Sequence, residues 1–152
     1  MNSRLINRIF STRPGWATLV VRIPLGIIFV AHGAQKLFGW FGGYGLSGTA
    51  QYMDSIGLTP GVVLASLAGG AEFFGGLALL LGLLVRPASV ALAFTMLVAI
   101  FSVHISKGLF LSNGGFEYGL ALLAVTVALV ISGAGRFSLD RALARNVSPA
   151  HS

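Results

Sequence analysis

No cysteine occurs in the chain, which excludes disulfides, thiol catalysis and thiolate-bound metal centres. Acidic residues are nearly as scarce: four Asp and Glu stand against ten Lys and Arg. Charged residues of both signs make up 9% of the sequence, where ordinary soluble domains carry about a quarter. With 55% hydrophobic residues in 152, a water-soluble fold would leave much of the apolar surface exposed. What the chain has instead is long hydrophobic runs and a mean hydropathy of +0.87. The composition is that of an integral membrane protein.

A helix needs roughly 20 apolar residues to cross a bilayer core. Four stretches qualify, at about residues 16–38, 62–85, 88–106 and 116–133. They are joined by a long loop at 39–61, a tight turn at Arg86-Pro87 and a short link at 107–115 containing Asn113-Gly114-Gly115. The predicted fold is an all-α membrane protein, a single-domain four-transmembrane-helix bundle with a tail at 134–152. Within the long loop, "SGTAQYMDSIG" offers Ser47 or Thr49 as an N-cap and Gly57 as a stop. That pattern predicts a short interfacial helix, with Tyr52, Met53 and Ile56 on the membrane surface and Gly42-Gly43-Tyr44-Gly45 as its hinge.

The net charge of +6 is distributed by topology. Arg4, Arg8 and Arg13 precede the first run, Arg86 occupies the second connection, and Arg136, Arg141 and Arg145 follow the fourth run. Lys36 and Lys107 flank the other two connections. By the positive-inside rule both termini face the cytoplasm, and no nucleic-acid partner is expected. The first run reads as an uncleaved helix, since removing it as a signal peptide would reverse this charge pattern.

Ionisable groups inside a bilayer cost about 2.5–3.5 kcal/mol each at mid-depth, so each needs a partner or a wet cavity. Here they are Arg22, His32, Lys36, Glu72, His104, Lys107 and Glu117. Arg22, Gly26, Phe29, Gly33 and Lys36 recur at helical spacing and form one face of the first run. In the second run Ala68, Ala71, Gly75, Ala78 and Gly82 form a small-residue strip beside Glu72. In the fourth, Glu117, Ala121, Ala124 and Ala128 do the same. Small residues mark helix contacts in membranes, so both carboxylates are expected to face the bundle. The third run leaves two faces open, one with Thr95, Ala99, Ser102 and Ser106, the other with His104 and Lys107. Glu72, near mid-depth, needs a partner: Arg22 from one side, or His32 or Lys36 from the other. The polar groups gather in the outer half of the bundle, where "HGAQKLFGWFGGYG" would form the rim of a cavity. The simpler readings stay open. The lysines snorkel, Trp40, Phe41 and Tyr44 form an ordinary aromatic belt, and Glu117 is a solvated helix N-terminus.

Taken together, "HGAQKLFG", "GGAEFFGGLALLLGL", "NGGFEYGLALLAVTVALVISG" and "GAGRFSLDRAL" resemble the DoxX family of bacterial four-helix membrane proteins. The resemblance covers residues 14–145. It implies a multi-pass protein of the bacterial inner membrane with loosely defined redox associations, some relatives being subunits of thiosulfate:quinone oxidoreductase. It also carries His32, Lys36, Glu72 and Glu117 as the family's polar signature, and Ser138 as the N-cap of a short surface helix with Asp140 in its first turn.

Two functions from different classes follow. The first is a site for quinone or a similar small ligand, built from His32, Lys36, Glu72, His104 and Glu117, with Trp40 and Tyr44 in its wall and Arg22–Glu72 as a structural ion pair. Histidine suits such chemistry because it titrates near neutrality. No iron–sulfur, flavin or haem motif is present and no metal site is expected, so electrons would come from a partner. No residue is assigned as catalytic. The second is a non-catalytic anchor or scaffold for a soluble oxidoreductase. A small proton-coupled permease is a further alternative, and a homodimer is compatible with all three. A haem between His32 and His104 is disfavoured by their different depths.

Overall fold

The computed structural model describes residues 15–147, so Arg4, Arg8 and Arg13 lie outside the described residues. Helix α1 spans Ala17–Phe38, followed by a 3-10 turn at Trp40–Gly42 and α2 at Gly45–Ser55. Helix α3 spans Gly61–Leu81, and α4 spans Val85–Ala99. Helix α4 runs on through a π-helical segment, Ile100–His104, and a 3-10 turn, Ile105–Lys107. After a further 3-10 turn at Leu111–Asn113 come α5 at Glu117–Ser132 and α6 at Leu139–Val147. Among the described residues the fold is all-helical. The runs Ala17–Phe38, Gly61–Leu81 and Val85–Lys107 are long and apolar enough to cross a membrane. Helix α5 is equally apolar but has 16 residues, about 24 Å of rise.

The turn between α3 and α4 falls earlier than the sequence suggests. Gly82 (φ 67°) and Leu84 (φ 51°) adopt left-handed conformations and end α3, and Arg86-Pro87 lies inside the first turn of α4. Proline fits there because the first turn lacks intrahelical acceptors for its N–H groups.

Helices α1 and α3 pack antiparallel along a glycine seam. A Cβ on Gly76 would sit 2.7 Å from the Val30 nitrogen and 2.8 Å from the Gly26 oxygen, and Gly33 lies against the Phe73 backbone. Contact this close is what holds helices together where lipid competes for every apolar side chain. Arg22, Gly26, Phe29 and Gly33 all lie on the buried face of α1, as their spacing indicated. The core beyond the seam is Leu25, Phe29, Leu79, Val85, Leu92, Met96, Leu122 and Leu129, drawn from α1, α3, α4 and α5.

Three of the expected faces differ. In α3 the most buried stripe is Ala65, Gly69, Glu72, Gly76 and Leu79, so Glu72 is part of the seam and not beside it. In α4 neither polar face does the packing; Ser89, Leu92, Met96 and Ile100 do, with Ser102 and Ser106 exposed. In α5 the small residues Ala121, Ala124 and Ala128 are exposed, and Leu122, Thr126 and Leu129 face the core. Small residues permit close approach, but within this chain the neighbouring helix meets the leucine face.

Candidate functional site

The glycines of "HGAQKLFGWFGGYG" fold the chain back onto the end of α1. Gly39 (φ 72°) caps α1 in the left-handed conformation. Gly43 then lies so close to α1 that a Cβ there would meet the Gln35 Cα at 2.5 Å. Phe41, between them, is held at φ 54°, which is uncommon for a bulky residue and concentrates at functional segments. Helix α2 begins at Gly45, so Ser47 and Thr49 lie within it and not at its N-cap. Thr49 instead turns inward and donates to the Lys36 carbonyl at 3.3 Å. Asp54 accepts from the Gly61 N–H at 2.7 Å, tying α2 to the start of α3. Of the three residues expected on the membrane surface, Tyr52 and Ile56 are exposed and Met53 is half-buried.

Beneath this rim Lys36 Nζ meets Glu72 Oε2 at 2.5 Å. Glu72 is 3% exposed and the Lys36 side chain 28%. Along the seam Glu72 lies at the level of Gly33, since Gly33 faces Phe73. Lys36, one turn nearer the end of α1, therefore bends toward the bundle and does not snorkel outward. The acid's partner is a lysine whose side chain stays partly exposed. The expected Arg22–Glu72 pair is not formed, because Arg22 lies about three turns away and donates to backbone carbonyls instead. His32 is exposed on α1, within electrostatic reach of both Lys36 and Glu72. Its ring lies 6.4 Å from that of Tyr118 on α5. Tyr118 was not singled out from the sequence; its place beside Glu117, at the start of the fourth run, was the available signal.

The remaining predicted residues do not join this cluster. His104 Nδ1 makes a 2.6 Å hydrogen bond with the Gly114 carbonyl, and Glu117 accepts from the Leu111 N–H at 2.6 Å. Both order the 108–116 connection. Trp40 and Tyr44 are 56% and 86% exposed, forming an open rim and not a closed wall. Phe38 links that rim to α3, with ring centroids 5.1 Å from Trp40 and 5.3 Å from Phe73.

At the opposite end, the segment "GAGRFSLDRAL" closes the bundle. Arg22, buried at 1% exposure, donates to the carbonyls of Ala134 (2.7 Å) and Phe137 (3.0 Å). Ser138 Oγ accepts from the Arg141 N–H at 3.2 Å, the N-cap expected for α6. Asp140 does more than favour its own helix. Its carboxylate crosses to α4 and accepts from the N–H groups of Leu84 (2.6 Å) and Val85 (3.0 Å). Burial pushes the Asp140 carboxyl above its ordinary pKa, against the opposing pull of those N–H groups and of Arg22 and Arg86.

The comparisons with known proteins match the chain to a family and to membrane proteins. Residues 17–105 match the family model described as DoxX. "Putative oxidoreductase CatD" of Bacillus subtilis is 34% identical over 123 residues, covering 81% of this chain and 84% of the relative. "Inner membrane protein YqjF" of Escherichia coli is 37% identical over 131 residues, covering 82% and 90%. "Uncharacterized membrane protein Rv3486" of Mycobacterium tuberculosis is 31% identical over 158 residues, covering 91% and 94%. No solved structure gives a significant match.

Proposed function

The chain belongs to the DoxX family, and from that premise we propose a redox-associated protein of the bacterial inner membrane that binds a quinone-like ligand beside Lys36 and Glu72. The observation that carries this reading is the ion pair itself. A nearly buried acid is matched by a base from another helix that remains partly open, and His32 and Tyr118 lie exposed nearby. Such a set suits a ligand with two polar oxygens on an apolar ring. Lys36 Nζ donates to one oxygen, His32 serves the other, and Glu72 holds the lysine in position. Reduction of a quinone to a quinol takes two electrons and two protons. The residues supply proton positions only, and a soluble oxidoreductase partner supplies the electrons. The name of the Bacillus relative is consistent with such an association.

In this reading α5 crosses as a fourth span. Arg86, Arg136, Arg141 and Arg145 lie at one end and Lys36 and Lys107 at the other, which by the positive-inside rule puts the arginine end in the cytoplasm. The pair then faces the outer side.

Titration of the purified protein in nanodiscs with a short-tailed benzoquinone tests the proposal. Saturable binding is expected, weakened at least tenfold by Glu72→Gln and by Lys36→Met. Binding that is absent, or unchanged in both variants, would remove the quinone site. The near-complete burial of Glu72 also favours a second reading, in which the pair only fastens α1 to α3 in an anchor for a soluble oxidoreductase. There both variants would lose stability and partner association with no ligand to lose.

A further inference from the structure

A second feature lies at the arginine end, remote from the Lys36–Glu72 pair. A depression of about 320 Å³ opens on the surface there, lined by Arg136, Phe137, Ser138, Arg141, Ala142 and Arg145. That volume falls within the range of small-molecule sites, about 300–1,000 Å³. Three guanidinium groups border it, and guanidinium geometry matches phosphate oxygens two at a time. Among the described residues no carboxylate neutralises them. The chain has four acidic side chains, of which Asp54, Glu72 and Glu117 are engaged with Gly61, Lys36 and Leu111 elsewhere in the bundle. The fourth, Asp140, is 2% exposed and turned into the start of α4.

The surroundings point to a bilayer surface. The groove rests where α1 and α4 begin and α3 and α5 end, joined to them by the Arg22, Asp140 and Arg136 backbone contacts. Trp16 and Phe137 meet beside it in a tilted contact with ring centroids 4.9 Å apart, both more than half exposed, with the Arg136 guanidinium 5.6 Å above the Trp16 ring. Exposed aromatics under a basic group are the pattern of the membrane–water boundary. Helix α6 is amphipathic about its buried Asp140. Leu139 and Leu143 are exposed on one flank, and Arg141 and Arg145 lie on the other. A lipid headgroup with its acyl chains needs both the basic groove and the exposed leucines beside it.

We propose that this groove binds the phosphodiester headgroup of an anionic phospholipid, with Arg136, Arg141 and Arg145 on the phosphate oxygens and Trp16, Phe137, Leu139 and Leu143 against the glycerol and upper acyl chains. The site is independent of the quinone reading.

Native mass spectrometry and thermal shift of the full chain in neutral detergent, with added phosphatidylglycerol or phosphatidylcholine, test it. Phosphatidylglycerol should be retained and should raise the unfolding midpoint, and phosphatidylcholine should not. Arg141→Gln/Arg145→Gln should weaken retention roughly 25-fold, at roughly fivefold for each arginine near the surface. Arg145→Gln alone, at an exposed position, should weaken it roughly fivefold and decides the matter if the double variant misfolds. Equal response to both lipids overturns the proposal. So does an equal response to free glycerol phosphate, which would make the groove a soluble-anion site. Unchanged phosphatidylglycerol retention in the variants, with loss of a co-purifying soluble protein, also overturns it.

Discussion

The two ends of the bundle handle buried charge in opposite ways. At the arginine end, Arg22 and Asp140 are bound to backbone: two carbonyls for the arginine, two N–H groups for the acid. Each fastens a chain segment that would otherwise leave its polar groups bare in an apolar setting. At the aromatic end, Lys36 and Glu72 are bound to each other, and the lysine stays within reach of the surface. Charge spent on backbone is committed to the fold. Charge held in an accessible side-chain pair can be exchanged for a ligand. The first end should therefore fail in stability when altered, and the second in binding.

The largest effect is expected from Asp140→Ala, which strips two charge-assisted hydrogen bonds from the start of α4. Denaturation in detergent should show a loss of about 3 kcal/mol. A neutral outcome would erase the contrast between the ends. Next in size is Lys36→Met, which leaves Glu72 without its partner. Because Lys36 is partly reachable, the loss should fall below that of a fully buried pair, at about 2 kcal/mol. Adding Glu72→Gln to that variant should restore stability to within about 1 kcal/mol, since replacing both partners removes the uncompensated charge. A double variant as unstable as the sum of its parts would mean that the two side chains do not act as a pair.

A pH series sharpens the same contrast. The Asp140 carboxyl has a raised pKa, so the native state binds its proton more tightly than the unfolded chain. Stability from this group is then fullest below the ordinary carboxylate range and declines as pH rises through the raised value. The unfolding free energy of the native sequence, less that of Asp140→Asn, should fall across that window; a rise would reverse the assigned direction. The smallest effect is expected from Thr49→Val, about 1 kcal/mol for its bond to the Lys36 carbonyl. Its better readout is limited proteolysis, with faster cutting within α2.

Helical periodicity was enough to identify the apolar helices and the buried face of α1, because Arg22, Gly26, Phe29 and Gly33 share one angular position on any helix. It did not identify the partners. Arg22 binds carbonyls 112 and 115 residues away, and a backbone acceptor leaves no mark in the sequence. Lys36 has a stem long enough to reach outward or inward, so its direction depends on where Glu72 lies in the seam. The alanine stripe of α5 was misleading for a related reason: small residues report how near a helix can come, not whether one does. His104 and Glu117 looked like cavity residues because their depth was right, yet each is consumed by a loop whose glycines expose backbone groups nearby. Asp140 looked like a first-turn acid favouring its own helix, and its carboxylate serves another one.

The most direct measurement is photo-crosslinking with an azido-quinone in nanodiscs, followed by mapping of the labelled peptides. Label on the segments bearing His32, Lys36, Glu72 or Tyr118, suppressed by excess unlabelled quinone, is the predicted result. Label spread over lipid-facing positions such as Phe94 and Phe101, and insensitive to competitor, would contradict a ligand site at the aromatic end.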